Sequence, residues 1–382
     1  MQSAMIPSTP HSTRNSTLRM AVIGVGHLGK EHARILSTMS QVKLVGVVDT
    51  SLEQATMVAE KCGTKAFNHF ADLYDRVDAV TVVVPTVYHH RVAKEFLARG
   101  IPTFVEKPIA TTLQEADDLI AIASKAKAPI QIGHIERFNP AFEELIGRPI
   151  QPKFVEIERH GPFTGRSTDI GAVLDLMIHD LDLLLALNGD EVSSVSAVGA
   201  AVFGGHEDFV NARIQFVNGC TAHVTASRVS PKPKRRLRIW APEGYAGIDF
   251  VQKSLVLVQP SEELRKNGLQ LSHLDPARRA NLKNEIFHRH LQTLELDCRK
   301  PVDQLTCELK DFVDCILKKR SPRVTGVAGR AALALAHRVL DNFKEHRWEG
   351  GYGNVVGPDN WPVPLGPLFE AEFNSNQDRH AA

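Results

Sequence analysis

The sequence lacks the features that would assign it to several large functional classes. Its 382 residues hold 45 Lys and Arg against 44 Asp and Glu, a formal charge of +1 with His neutral, so the basic surplus of a nucleic-acid binder is missing. No apolar run reaches the roughly 18 residues that a membrane-spanning helix needs. Cysteine is scarce: Cys62, Cys220, Cys298, Cys307 and Cys315 are odd in number and form no C-x-x-C pair. A disulfide framework is therefore excluded, and a reducing, cytoplasmic compartment fits best. Aromatic residues make up 6% of the chain, and none interrupts its one basic run, Lys232 to Arg238, which reads as a solvated face and not as a nucleic-acid groove. What is present is a near-neutral chain, 43% apolar and long enough for two domains, whose partner is expected to be a small molecule.

Residues 1–17 are rich in Ser, Thr and Pro, with no apolar stretch of signal-peptide length, and read as a disordered overhang; a natural start near Met20 would leave the rest unchanged. From Leu18 the pattern alternates. Apolar runs at Met20–Gly24, Lys43–Val48, Ala79–Val84, Thr103–Glu106 and Pro129–Gly133 are separated by amphipathic stretches at Lys30–Met39, Leu52–Cys62, His90–Arg99 and Leu113–Lys125. This predicts a parallel sheet covered on both faces. Beyond about residue 150 period-two strands dominate (153–160, 192–202, 211–217, 222–229, 236–240, 246–250, 254–258), with one helix over 172–187. A largely antiparallel sheet follows, closed by helices over 308–319 and 330–344. A Pro- and Gly-rich tail occupies 350–382.

Gly24-x-Gly26-His27-Leu28-Gly29 follows the first strand and opens the first helix, the context that turns G-x-G-x-x-G into a dinucleotide site. Gly24 allows the tight turn, Gly26 lets backbone approach a pyrophosphate and Gly29 brings the helix close to the strand; His27 and Leu28 between them are candidate cofactor contacts. Asp49 ends the second strand, 20 residues after Gly29, where a carboxylate bonds the adenine ribose 2′-hydroxyl and repels a 2′-phosphate. NAD is expected over NADP. The alternative is that Asp49 caps the next helix.

Two further segments point to chemistry. An apolar strand ends in Glu106-Lys107-Pro108, which sets an ammonium at the carboxyl edge of the sheet, where α/β folds bind ligands, or else is simply a solvated strand end. In the helix over 172–187, Asp175, His179 and Asp182 share a face at 3.6 residues per turn. An acid one turn before a histidine makes an acid–base pair.

These segments, in this order and separation, resemble the Gfo/Idh/MocA oxidoreductases, named after glucose–fructose oxidoreductase and inositol dehydrogenase, over residues 18 to 345. The resemblance implies an α/β N-terminal Rossmann domain over 18–145 and an α+β C-terminal domain over 146–349. The latter carries a large, mostly antiparallel open sheet whose free face makes homodimers or homotetramers. It implies that Lys107 and His179 are catalytic, with Asp175 as their partner on the substrate, and that the Lys107–Pro108 bond is cis. Thr86 and His89, in the turn after 79–84, would approach ribose and nicotinamide, beside Glu106 and Lys107; His89 equally suits a helix N-terminus. Arg137 and Asn139, in Gly133-His134-Ile-Glu-Arg137-Phe-Asn139-Pro140, would reach the substrate, although Asn139 before Pro140 also reads as a helix cap.

The implied reaction oxidises a secondary hydroxyl of a sugar or cyclitol: His179 removes the proton, Lys107 stabilises the oxygen and hydride passes to NAD. No metal is required, and no His, Cys or Asp cluster has metal spacing. Arg159 and Arg166, in the loop from Glu158 to Asp169, suit an anionic substrate. With the 133–140 turn, that loop looks most like the subgroup oxidising the 3-hydroxyl of UDP-N-acetylglucosamine. A polyol such as myo-inositol, or a sensor of the same fold without turnover, is the alternative.

Overall fold

A computed structural model describes residues 17–345 except 164, 166–169, 190, 203–205 and 270–274; the expected overhang up to residue 16 and the tail over 350–382 lie outside the described residues. The first half alternates β1 (Leu18–Ile23), α1 (Gly29–Thr38), β2 (Val42–Val48), α2 (Leu52–Cys62), β3 (Ala66–Phe67), β4 (Ala79–Val82), α3 (His89–Leu97), β5 (Thr103–Glu106), α4 (Leu113–Ala126) and β6 (Ile130–Gly133). Its strands form one parallel sheet in the order β3-β2-β1-β4-β5-β6. Met20, Val22, Val80, Val82, Phe104 and Val105 are fully buried, because helices cover both faces of the sheet. The chain changes direction across the sheet between β1 and β4, which opens a crevice at the carboxyl ends of those strands. Local signals set the helix boundaries. The Ser51 hydroxyl accepts from the Gln54 amide at the start of α2, and Thr112 and Glu115 cap each other's backbone at the start of α4.

The second half runs α5 (Pro140–Ile146), β7 (Phe154–His160), α6 (Ile178–Asn188), β8 (Val192–Ala200), β9 (Phe209–Phe216), β10 (Thr221–Ser227), β11 (Lys234–Ala241), β12 (Gly244–Asp249), β13 (Ser254–Pro260), α7 (Glu262–Asn267), α8 (Pro276–Glu285), β14 (Leu291–Asp297), α9 (Gln304–Leu317) and α10 (Gly326–Glu345). Its sheet has the order β14-β13-β12-β11-β7-β10-β9-β8 and is antiparallel throughout except for the β7–β10 pair. Val155, Ile157, Val224, Leu237 and Ile239 point to one face, where α6 and α10 cover them. On the other face Phe154, His223, Trp240 and Tyr245 form an aromatic row, edge to face at Phe154–His223 and Trp240–Tyr245 and tilted at Phe154–Trp240, flanked by ion pairs such as Arg238–Glu156 at 2.7 Å.

Sequence periodicity does not anticipate β3, β14, α7 or α8. β3 has two residues, and β14 is an edge strand with most of its residues exposed, so neither carries a full hydrophobic pattern. The two last helices also do more than close the second sheet. α9 inserts Leu309, Phe312 and Val313 into the core beneath β1 and β2, and α10 buries Leu333 against the first sheet and Val339 and Phe343 against the second.

Candidate active site

The glycine turn meets the requirements of its three glycines in different ways. Gly24 sits at φ +87°, and a Cβ there would lie 2.5 Å from the Val83 carbonyl oxygen; a Cβ on Gly29 would lie 1.8 Å from that of Gly24. Both are required by packing. At Gly26 a Cβ would meet nothing within 4 Å, so the protein itself leaves that position open. An exposed backbone at the amino end of α1 fits the approach of a pyrophosphate. His27 and Leu28 are exposed on the same turn. Asp49 accepts from the Val25 amide at 3.0 Å and from the Ser51 amide at 3.0 Å, which ties the end of β2 to the glycine turn. The cap of α2 is Ser51, so the capping alternative for Asp49 falls.

Thr86 lies buried in a single 3₁₀ turn after β4. His89 corrects its expectation. It is 1% exposed, and both ring nitrogens face backbone carbonyls at 2.8 Å, those of Pro108 and Val84. The neutral imidazole donates to one of these carbonyls, and both nitrogens are turned into the protein between the ends of two strands, away from a nicotinamide.

Lys107 stands at the end of β5, and its peptide bond to Pro108 is cis, as the resemblance implies. Beneath it, Glu106 accepts from the Lys107 amide at 3.2 Å and lies 3.2 Å from His32 Nε2, and Gly133 packs against this carboxylate. Burial raises the Glu106 pKa, but His32 and Lys107 outweigh it and hold the carboxyl below its ordinary value. The Lys107 ammonium crosses to the second half, donating to the Asp175 backbone carbonyl at 2.7 Å and to its carboxylate at 3.0 Å.

Asp175 belongs to a π turn, Val173–Met177, in which the Ile178 amide reaches back to the Val173 carbonyl. Such turns recur at functional sites. The expected acid–base pair is not joined directly: the Asp175 carboxylate accepts from Lys107, and no hydrogen bond links it to the His179 ring among the described residues. The three acids of the segment diverge, with Asp175 on Lys107, Asp180 on Arg159 at 2.7 Å and Asp182 on Arg137 at 2.6 Å. His179 Nδ1 is buried without a partner, and the ring stands edge-on to His134 at 6.1 Å. Burial, and then the charges of Lys107 and Arg159, hold the His179 pKa well below its ordinary value, so the imidazole is neutral and able to accept a proton.

The expected substrate contacts are mostly claimed by the protein. Arg159, 3% exposed, gives its guanidinium to both oxygens of Asp180 and to Glu136. Asn139 is fully buried: its oxygen accepts from the Ala141 amide as the cap of α5, and its amide donates to Glu136 and the Phe250 carbonyl. Arg137 is spent on Asp182. Arg166 lies outside the described residues. The physical reason is shared, since a buried charge or amide needs full pairing inside the protein before it can serve a ligand.

Two buried groups near the site have no motif to announce them. His134, within the quoted 133–140 turn, is buried with both ring nitrogens unpartnered. Glu308 on α9 is fully buried with both oxygens unpartnered; burial, then the charges of Glu106 and Asp182, raise its pKa well above the ordinary value. Its sequence signal is weak, because one Glu on an amphipathic helix gives no sign of facing inward. Among the described residues no group of three His, Cys, Asp or Glu side chains is placed to hold a metal ion.

Comparison with known proteins agrees with this geometry. The family described as "Oxidoreductase family, NAD-binding Rossmann fold" matches residues 18–134, and the "GFO/IDH/MocA C-terminal domain" matches 143–246. The UDP-N-acetylglucosamine 3-dehydrogenase of Acidithiobacillus ferrooxidans is 37% identical over 332 residues, covering 84% of this chain and 96% of that protein. A scyllo-inositol 2-dehydrogenase (NAD(+)) of Bacillus subtilis is 31% identical, covering 56% of this chain and 68% of that one. In structure, the Acidithiobacillus enzyme superposes with a TM-score of 0.75 at 36% identity, over 85% of this chain and 97% of that one. A Lactobacillus casei scyllo-inositol dehydrogenase with bound NAD(H) and scyllo-inositol shares the fold, with a TM-score of 0.68 at 19% identity over 86% and 97% of the two chains.

Proposed function

Because the chain belongs to the Gfo/Idh/MocA oxidoreductase family, we propose that it is an NAD-dependent dehydrogenase that oxidises the 3-hydroxyl of UDP-N-acetylglucosamine to the 3-keto sugar. The observation that carries the chemistry is the Lys107–Asp175 contact, which brings a cation from the first sheet onto the π turn one helical turn before a neutral His179. The substrate reading is supported by the extent of similarity to the Acidithiobacillus enzyme, over nearly the whole of that protein.

The glycine turn, Asp49, Thr86, Glu106 and Lys107 are the residues proposed to hold the dinucleotide, and when bound its nicotinamide supplies a hydride acceptor. The chain's own residues do the rest. His179 takes the hydroxyl proton, for which its depressed basicity keeps it unprotonated. Lys107 donates to the oxygen as carbonyl character develops, and Asp175 holds the ammonium in place through its carbonyl and carboxylate. Asp49, with no Arg or Lys at Thr50 or Ser51, favours NAD over its 2′-phosphate. A reducing, cytoplasmic setting is supported by five thiols that are all free, and self-association by the aromatic outer face of the second sheet.

The test is absorbance of reduced nicotinamide with NAD and a panel of UDP-N-acetylglucosamine, myo-inositol, scyllo-inositol and free hexoses. UDP-N-acetylglucosamine is the expected substrate. Oxidation of an inositol instead, the reading that the Bacillus relative favours, overturns the substrate; NAD binding with no oxidation across the panel overturns the enzyme reading in favour of a sensor.

A further inference from the structure

The basic run of β11 divides between the two faces of its sheet. Arg236 and Arg238 stand on the outer face and pair with Asp249 at 3.4 Å and Glu156 at 2.7 Å. Arg235 alternates with Leu237 and Ile239 onto the inner face, where it stands directly opposite Arg159 of β7. Like charges in that position repel each other. The carboxylates nearby are already committed. Asp180 gives both oxygens to Arg159, and Glu136 gives one to Arg159 and the other to Asn139 and Gln304. Arg235 comes within only 3.9 Å of Glu136, beyond hydrogen-bond reach, and its side chain is 49% exposed. The side chains of Lys107, Arg137 and Arg159 are all hydrogen-bonded, whereas the Arg235 guanidinium makes no hydrogen bond among the described residues, although its backbone carbonyl accepts from the Phe250 amide. Its charge still reaches the catalytic helix, since it is among the groups that lower the basicity of His179.

We infer that Arg235 is the anion-reading residue of the substrate site, and that its guanidinium takes the diphosphate of a nucleoside-diphosphate sugar. The inference rests on the nucleotide-sugar reading above. A planar fork with free donors matches phosphate oxygens bidentately, and a bound anion would remove the repulsion between Arg235 and Arg159. The cofactor's own pyrophosphate is the other source of such an anion, but the glycine turn that fits it lies on the first sheet.

Steady-state kinetics and UDP inhibition of R235Q and R235K test this. In R235Q, KM for UDP-N-acetylglucosamine and Ki for UDP are expected to rise about tenfold to a hundredfold, the loss of a charge-assisted bond, while KM for NAD stays at the wild-type value. R235K keeps the charge without the fork and should fall between. Unchanged Ki for UDP in R235Q overturns the inference, and a rise in KM for NAD overturns it by assigning the anion to the cofactor. Failure of the wild-type enzyme to bind UDP is the separate result that removes the nucleotide-sugar reading, and this inference with it.

Discussion

Gly26 and Gly29 stand three residues apart in one turn, yet their substitution should have opposite consequences. G26A places its methyl in open space, so thermal stability should hold while the Kd for the dinucleotide rises, as titration with NADH followed by its fluorescence will report. G29A drives a methyl into the Gly24 carbonyl and should lower stability as well as binding; equal loss of stability in both variants would refute a ligand role for Gly26. Asp49 is argued in the same way. D49A should narrow the preference for NAD over NADP, measured as the ratio of kcat/KM values, and an unchanged ratio would place recognition of the 2′-hydroxyl elsewhere. At His179 the sign follows from its proposed role as base. Only the neutral ring accepts a proton, and its pKa is held well below 6.5, so kcat/KM should persist as pH drops through 6.5 and fall only further down. Among the cations near it, Lys107, Arg159 and Arg235, the last can be removed without breaking a hydrogen bond; R235Q should therefore move that acid limb to higher pH.

At the scale of elements, much of the architecture is legible because long periodic segments carry redundant information. The Rossmann strands and α1, α2 and α4 follow from continuous apolar runs alternating with amphipathic stretches. The site was read less completely, for local reasons. Asp175 and His179 are four apart, but the acid is bonded to Lys107, a partner 68 residues away that helical spacing does not announce. Arg159 was open to correct reading: Val155, Ile157 and Arg159 alternate onto the buried face of β7, so strand parity alone turns that arginine inward, away from solvent. On β11 the same parity puts Arg235 on the face of Leu237 and Ile239, although its side chain stays half exposed. The helix α9 shows what periodicity leaves open, because an apolar stripe does not say which sheet it will meet. Phe312 is fully buried and edge-on to Phe104 of β5 at 5.9 Å, so F312A should cost about 3–5 kcal/mol in urea unfolding and weaken NAD binding although the residue is far along the chain from the glycine turn.

For the whole molecule, buried ionisable groups set the response to acid. His89, His134 and His179 are each held below the ordinary histidine value of 6.5, burial being the first cause in every case. The unfolded chain takes up these protons below about pH 6.5 and the native protein does not. Stability should therefore be fully present above that pH and fall as pH is lowered from about 6.5 toward 4.5, before most carboxylates titrate. Glu308 acts in the opposite direction: its raised pKa costs stability as pH climbs above 4.5, so E308Q should raise Tm at pH 8 and change it little near pH 4.5. Thermal scans of wild type and E308Q across this range check both statements.

The return of α9 to the first sheet also bears on the order in which the protein can be made. The cofactor half is synthesised first, but the apolar surface beneath β1 and β2 waits for Leu309, Phe312 and Val313, which leave the ribosome only after the entire second sheet has been translated. Until then the nascent glycine turn is backed by an uncovered apolar patch of the kind that makes folding intermediates prone to aggregate. The half of the chain that is first in sequence is thus among the last to be completed, its core closed only once α9 has been made.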